Sequence, residues 1–129
     1  MMLRIICVAA AGVIACSHAR AAEKTMSINF VGDWCYSSQE KNTTSYTLPS
    51  WTDGGVCTKI LSIDQNGFHG EGRSCELVNI GVKTNTAPSG TAYIATLAAS
   101  CQPDGPVTSG KLQHFEFNRY KGNLTVTTK

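Results

Sequence analysis

The chain lacks the features that mark several large classes of protein. Apart from Arg4 and Arg20, which fall in an N-terminal leader, nine basic residues balance nine acidic ones. Without a basic cluster, nucleic acid and anionic membrane surfaces are poor candidates for partners. The longest apolar run, residues 5–15, has 11 residues, so we expect no transmembrane segment, which needs roughly 20. Disorder is also excluded, because 42% of the residues are hydrophobic and only 16% are charged.

Familiar catalytic motifs are absent as well. The sequence contains no G-x-S-x-G elbow, P-loop or H-E-x-x-H helix. The cysteines never form a C-x-x-C pair, which argues against a thioredoxin-like site or a zinc ribbon. His69 and His114 each begin an H-x-E pair, but we assign no metal to them, because glycines surround the first pair and the second faces away from an apolar strand face. We predict a non-enzymatic protein without a metal or cofactor.

The N-terminus has the three parts of an export signal. A basic start at residues 1–4 precedes the apolar run, and Ala19-Arg20-Ala21 has the small-x-small pattern that signal peptidases cut after. We predict removal of residues 1–21, which leaves a single β domain over residues 22–129. We expect this domain to be periplasmic or secreted. A second possibility is a lipid anchor at Cys16, because Val13-Ile14-Ala15-Cys16 resembles a bacterial lipobox. Export takes the chain into an oxidising compartment, where disulfides persist.

Segments rich in Ile, Val, Thr, Tyr and Phe alternate with turn-forming clusters along the rest of the chain. This pattern predicts strands at residues 27–36, 58–64, 67–71, 74–83, 91–101, 111–118 and 123–128. Three sets of residues each share one face of a strand: Tyr93, Ala95, Leu97 and Ala99; Phe115 and Phe117; and Leu124 and Val126. We predict an all-β fold, a small antiparallel up-and-down barrel or sandwich of about seven strands, stapled by disulfides.

Four cysteines follow the leader, and four allow three pairings. If the strands on either side of Pro88 form a hairpin centred on it, Cys75 and Cys101 lie opposite each other, because each is 13 residues from Pro88. Cys35 ends the first predicted strand and Cys57 begins the second, so an antiparallel pair brings them together. We predict the bonds Cys35–Cys57 and Cys75–Cys101. A register shift of one residue would break the second bond.

The first predicted strand contains Phe30-Val31-Gly32-Asp33-Trp34-Cys35, and the chain closes with Gly122-Asn123-Leu124-Thr125-Val126. With the later cysteines between them, these motifs resemble a group of small exported four-cysteine proteins of alphaproteobacteria, rhizobial types among them. The resemblance implies export and a β fold and supplies no catalytic residues. Gly32 and Trp34 also resemble the G-x-W of lipocalin-like barrels, in which the Trp closes one end. We interpret Trp34 as a core side chain beside a glycine that allows close backbone approach.

Two later motifs read Ser89-Gly90-Thr91-Ala92-Tyr93 and Tyr120-Lys121-Gly122. They resemble the S-G-x-x-Y and K-G motifs of periplasmic inhibitors of C-type lysozyme, which implies partner-binding roles for Ser89, Tyr93 and Lys121. Both motifs also suit hairpin turns. Trp51 lies in a polar loop between two cysteines. It is a further candidate anchor for a partner, unless it packs over the disulfide of its own loop.

Together these observations predict an exported, monomeric, non-enzymatic β-barrel that binds a small ligand or another protein. The alternative is an inhibitor of a hydrolase such as lysozyme or a secreted protease. The interior of the barrel distinguishes the two. A pocket inside it would favour a small ligand, whereas a filled interior with a protruding loop would favour an inhibitor.

Overall fold

The computed structural model describes residues 24–51, 57–104 and 110–129, which form eight strands and one short 3-10 helix. The strands are β1 (Gly32–Glu40), β2 (Thr43–Thr47), β3 (Ile60–Asp64), β4 (Gly67–Gly70), β5 (Arg73–Ala87), β6 (Gly90–Pro103), β7 (Lys111–Tyr120) and β8 (Asn123–Thr128). The 3-10 helix spans Pro49–Trp51. The predicted leader at residues 1–21, which includes Cys16, lies outside the described residues. No helix within them is long and apolar enough to cross a membrane.

The eight strands form a closed antiparallel barrel in the order β1-β2-β8-β7-β6-β5-β4-β3. This confirms the predicted fold class, with eight strands rather than about seven. From β3 to β8, each strand pairs with the next along the chain. The β1–β2 hairpin is inserted between β3 and β8, so β2 and β3 lie on opposite edges of β1 although they are consecutive in sequence.

β2 is the strand that the sequence pattern did not predict. Its only large apolar side chain is Tyr46, which is also its only buried residue. A strand with one such residue gives little alternation to detect. β2 nevertheless closes the barrel, because it pairs with β1 on one edge and with β8 on the other. The first strand also begins later than predicted, at Gly32 rather than residue 27, because residues 28–30 form a turn.

Large apolar side chains fill the inside of the barrel. Trp34, Phe30, Phe115 and Phe117 are fully buried. The ring of Phe68 joins the last two, and the ring centroids of these three residues lie 5.2–6.4 Å apart in edge-on contacts. The predicted inward faces are confirmed, since the following residues are all buried: Ala95, Leu97, Ala99, Phe115, Phe117, Leu124 and Val126. Tyr93 is half-buried and packs against them.

The β5–β6 hairpin turns half a residue later than the sequence suggested. Its two-residue turn pairs Ala87 with Gly90, so the centre lies between Pro88 and Ser89. An unbroken ladder from this turn would place Cys75 opposite Gln102 rather than opposite Cys101. That is the one-residue shift that would prevent the second disulfide.

A β-bulge at Val78 corrects this shift. It places one extra residue in β5 between Leu77 and Asn79, after which Cys75 lies opposite Cys101. The bulge also explains why Leu77 and Val78 do not alternate cleanly in the sequence. Both predicted disulfides are confirmed: Cys75–Cys101, with Cα atoms 4.0 Å apart, and Cys35–Cys57, with Cα atoms 5.1 Å apart.

Candidate functional site

Three connections meet at one end of the barrel. Two-residue turns join β5 to β6 and β7 to β8 there. β2 ends at the same level, because Thr47 pairs with Asn123, the first residue of β8, and the 3-10 helix follows it. These connections carry three of the candidate residues from the sequence, namely Ser89, Lys121 and Trp51.

Tyr120 links the two hairpin turns. Its Oη donates a hydrogen bond of 2.9 Å to the backbone oxygen of Ser89. A Cβ added to Gly90 would lie 3.3 Å from the Tyr120 ring, so the glycine lets the ring approach the neighbouring backbone. Ser89 itself is exposed. The two sequence motifs, far apart along the chain, are therefore held side by side by one tyrosine.

Lys121 lies in the β7–β8 turn with a φ of 53°, in the left-handed region that L residues rarely adopt. Its Nζ lies 5.4 Å from the centroid of the Tyr120 ring. The Nε of Arg119 donates a hydrogen bond of 3.0 Å to the Lys121 backbone oxygen, which braces the turn. No acidic side chain among the described residues pairs with the Lys121 ammonium. Lys121 itself is exposed.

The indole ring of Trp51 covers the backbone of the same turn. A Cβ built on Gly122 would come within 2.5 Å of the ring, so glycine is the residue that leaves room for it. The Gly122 oxygen also accepts a hydrogen bond of 2.9 Å from the Leu48 N–H, and the Leu48 oxygen accepts one of 2.9 Å from the Trp51 N–H. Trp51 is still 57% exposed. The contacts with Gly122 and Leu48 fix the position of Trp51, while much of its ring faces solvent.

We name the group formed by Trp51, Ser89, Tyr120, Lys121 and Gly122 the tip surface. Tyr93, the fourth candidate from the sequence, is not part of it. This side chain lies on the inner face of β6 and packs against the core, where the residue opposite it on β7 is Arg119.

Arg119 is a residue of this end that the sequence analysis missed. Its Nη1 donates a hydrogen bond of 2.6 Å to the Asn29 backbone oxygen, and its Cζ lies 5.0 Å from the centroid of the Trp34 ring. The sequence contained a signal for it, because alternation along β7 places residue 119 on the same face as Phe115 and Phe117. A charged side chain on the inward face of a strand needs such partners, a backbone oxygen and an aromatic ring, to compensate for its loss of water.

Trp34 is a core side chain, as predicted. It is fully buried, and its Nε1 donates a hydrogen bond of 2.9 Å to the Phe30 backbone oxygen. The interpretation of Gly32 was wrong in its physical reason. A Cβ added there would meet nothing within 4 Å, so no close approach requires the glycine. The backbone φ of 139° requires glycine at this position, because residues with a side chain rarely adopt that conformation.

The two histidines lie on separate outer surfaces. Both are exposed, His69 on β4 and His114 on β7, with β5 and β6 between them. His69 borders an open groove of about 580 Å³ whose lining includes Asp64, Glu76 and Ser100. No group of three or more His, Cys, Asp or Glu side chains in the described parts of the chain has a geometry that would hold a metal ion.

Comparison with known proteins adds no identification, because no protein-family model, curated protein or solved structure matches the chain.

Proposed function

We propose that this protein is an exported, non-enzymatic binding protein whose tip surface contacts another protein. The filled interior is the observation that carries the proposal. Eight-stranded barrels that bind a small molecule hold it in the space enclosed by their strands. In this protein the fully buried rings of Trp34, Phe30, Phe115 and Phe117 occupy that space. A partner must therefore bind outside, where rigidly held aromatic and cationic side chains are typical anchors of protein interfaces.

The shape of the β5–β6 hairpin supports insertion into a cleft. Residues 81–89 are all exposed, so this arm projects beyond the packed core. Its tip lies beside Lys121, because Tyr120 joins the two turns. A narrow projection with a cation next to it is complementary to a concave, acidic site.

An acidic cleft of that kind is typical of glycoside hydrolases, which place two carboxyl groups around the bond that they cut. The Lys121 ammonium, which has no acidic partner among the described residues, is suited to pair with such a carboxylate. The resemblance of the Ser89 and Lys121 motifs to those of C-type lysozyme inhibitors supports the same class. We therefore propose that the partner is a hydrolase and that a C-type lysozyme is the first to test.

The test is the inhibition of a C-type lysozyme acting on a peptidoglycan suspension, combined with calorimetric titration of the purified protein into the enzyme. We expect stoichiometric binding and loss of lytic activity. Lys121→Ala should weaken binding at least tenfold, the effect of about 1.4 kcal/mol expected for a central charged contact. Lys41→Ala is a matched control, because Lys41 is exposed in the β1–β2 turn at the opposite end of the barrel and has the same φ of 53°.

Inhibition that Lys121→Ala abolishes and Lys41→Ala preserves would support both the surface and the partner class. If the wild-type protein does not bind the lysozyme, the lysozyme assignment is wrong, and secreted proteases are tested next with the same variants. Equal weakening by the two variants would contradict the tip surface as the binding site.

A further inference from the structure

We infer that two copies of this chain pair through the outer edge of β5, antiparallel and about a two-fold axis at Val82. The inference does not rest on the proposed function, because it uses only the strand edge of β5, although residues 81–87 also belong to the arm proposed to enter a cleft.

β5 is paired on both edges only near its start. β4 pairs with it from Arg73 to Glu76, whereas β6 pairs with it as far as Ala87. Within residues 24–51, 57–104 and 110–129, no strand pairs with the outer edge of β5 beyond Leu77. Residues 81–87 are also exposed throughout. The second half of β5 is therefore an open strand edge, which is a template for another strand.

The backbone groups on this edge follow from the ladder. Ala87 pairs with Gly90 to close the turn, so Ala87 and every second residue before it direct their backbone groups towards β6. The intervening residues direct their N–H and C=O groups towards the open edge: Ile80, Val82, Thr84 and Thr86. The series ends at the bulge, before which the Leu77 N–H is already bonded to the Asn66 oxygen at 2.8 Å.

The edge has little of the protection that proteins normally give to edge strands. Short length, proline, charge and β-bulges are the usual devices, and the bulge in β5 lies only at the start of the open stretch, at Val78. Here the open stretch runs from Val78 to Ala87 without a proline, and Lys83 is its only charged residue. Two large apolar side chains on it, Val78 and Val82, are each 40% exposed. Covering such a stretch by a second strand satisfies its backbone and buries apolar surface.

The sequence of the edge is complementary to itself when the strands pair about Val82. With the axis at Val82, this residue faces its own copy, Ile80 faces Thr84, and Lys83 faces Gly81. A Cβ on Gly81 would meet nothing within 4 Å, so the Lys83 side chain of the second copy has room there. An axis at Lys83 would instead bring two ammonium groups face to face, which is unfavourable. The single charge of the edge thus excludes the axis at Lys83. Of the remaining axes, the one at Val82 pairs the open stretch over its greatest length, residues 78–86.

A two-fold pair of this kind is the commonest form of homodimer, but one pair of edge strands buries less than the roughly 800 Å² per partner of a standard interface. We therefore expect a weak dimer, half formed at about 0.1 mM. Because the strands are antiparallel, the two tip surfaces point in opposite directions. The pairing covers one edge of each arm, so the monomer, which predominates at low micromolar concentration, is the form expected to enter a cleft. The sequence predicts a monomer, and the measurement of mass in solution distinguishes the two states.

The first measurement is sedimentation equilibrium of the purified protein from about 10 µM to 1 mM, a range that brackets the expected affinity. The wild-type protein and Val82→Thr, which keeps the N–H, should dimerise. Val82→Pro should stay monomeric, because it removes an N–H that faces the open edge and none that faces β6. A wild-type protein that is monomeric at the highest concentration, or a Val82→Pro variant that folds and dimerises equally well, would overturn the inference.

The second measurement needs no variant, so it does not depend on the folding of Val82→Pro. Hydrogen exchange of the wild-type protein is compared at the two ends of the concentration range. We expect slower exchange at high concentration for the amides of Ile80, Val82, Thr84 and Thr86. Dimerisation without protection of these amides would place the contact elsewhere and would also overturn the inference.

Discussion

Lys121 combines an unfavourable backbone conformation with an exposed charge. An L residue in the left-handed region costs about 1–2 kcal/mol relative to its usual conformation. The strain alone does not mark a binding site, because Lys41 and Glu71 have φ values of 53° and 56° in two other turns. What distinguishes Lys121 is its place beside Trp51 and Tyr120 in the tip surface. The lysine at this position is therefore best explained by its side chain, since its backbone would favour glycine.

This gives a prediction that separates stability from binding. Lys121→Gly relieves the strained conformation but makes the unfolded chain more flexible, which costs about 0.4–1 kcal/mol. We expect Lys121→Gly to be as stable as the wild-type protein or up to about 1 kcal/mol more stable, and Lys121→Ala to be unchanged within about 0.5 kcal/mol. Both variants should lose partner binding. Urea unfolding monitored by far-UV circular dichroism measures the stability, and a Lys121→Gly variant destabilised by more than about 1 kcal/mol would contradict the account.

Tyr46 gives a prediction for alkaline pH. Its burial in the barrel, with a smaller contribution from the charge of Glu71, raises its pKa from 10.0 to about 12. Because the pKa is higher in the folded state, this stabilisation is complete below pH 10 and is lost as the pH rises towards 12. Tyr46→Phe has no phenol to ionise, so its stability should fall less than that of the wild-type protein over this interval.

Denaturant midpoints at pH 8, 10 and 11, together with the tyrosinate absorbance, check this prediction. A wild-type protein whose midpoint falls no more steeply than that of Tyr46→Phe would contradict it.

The Cys35–Cys57 disulfide holds the connection that carries Trp51. This connection leaves β2 for the opposite edge of β1, where the Lys59 oxygen accepts a hydrogen bond of 2.9 Å from the Tyr36 N–H. β2 itself is hydrogen-bonded along both edges. Loss of the disulfide should therefore loosen the 3-10 helix before it loosens the strand.

We expect a Cys35→Ala, Cys57→Ser variant to lose about 2–4 kcal/mol of unfolding free energy. The amides of Trp51 and Tyr36, which donate to the Leu48 and Lys59 oxygens, should exchange with solvent at least tenfold faster, whereas those of β2 stay protected. Hydrogen exchange resolved by residue measures both. Equal loss of protection in β2 and in the 3-10 helix would show that the disulfide holds the strand as well.

The same elements show why sequence predicted some parts of this fold and not others. Alternation reveals a strand only where one face is buried, as around Leu97 and Phe117. β2 has a single large inward side chain, Tyr46, and the last residues of β5 leave the core, so the predicted strand stopped at Lys83 instead of Ala87. Both disulfides were predicted, although the second depends on a bulge that compensates for a misplaced turn centre.

The candidate site was predictable only in part. Ser89 and Lys121 stand out as turn residues within motifs. Their contact through Tyr120 depends on the β6–β7 ladder, and the packing of Trp51 on Gly122 depends on the β2–β8 ladder. Both ladders pair residues that are far apart in sequence, and β2 has no clear hydrophobic alternation. For this reason the sequence indicated the components of the tip surface without their arrangement.

On the scale of the whole molecule, the closed barrel is a rigid support with two different ends. The core aromatics and two disulfides fix the strands, so the turns at the tip surface are held in place before a partner arrives. Such preorganisation reduces the entropy lost on binding. The opposite end carries the β1–β2 turn with Lys41. Variants at Lys41 are therefore controls for variants in the tip surface.

The most direct test of the central claim is site-specific photo-crosslinking in the periplasm, the compartment that the sequence predicts for this protein. A photoreactive residue is placed at Asn123, which is exposed beside Lys121, and in a second variant at Lys41. We predict that position 123 captures one hydrolase, identified by mass spectrometry, that this product is lost when Lys121→Ala is added, and that position 41 captures none. Capture from both positions alike, or from neither, would contradict the account.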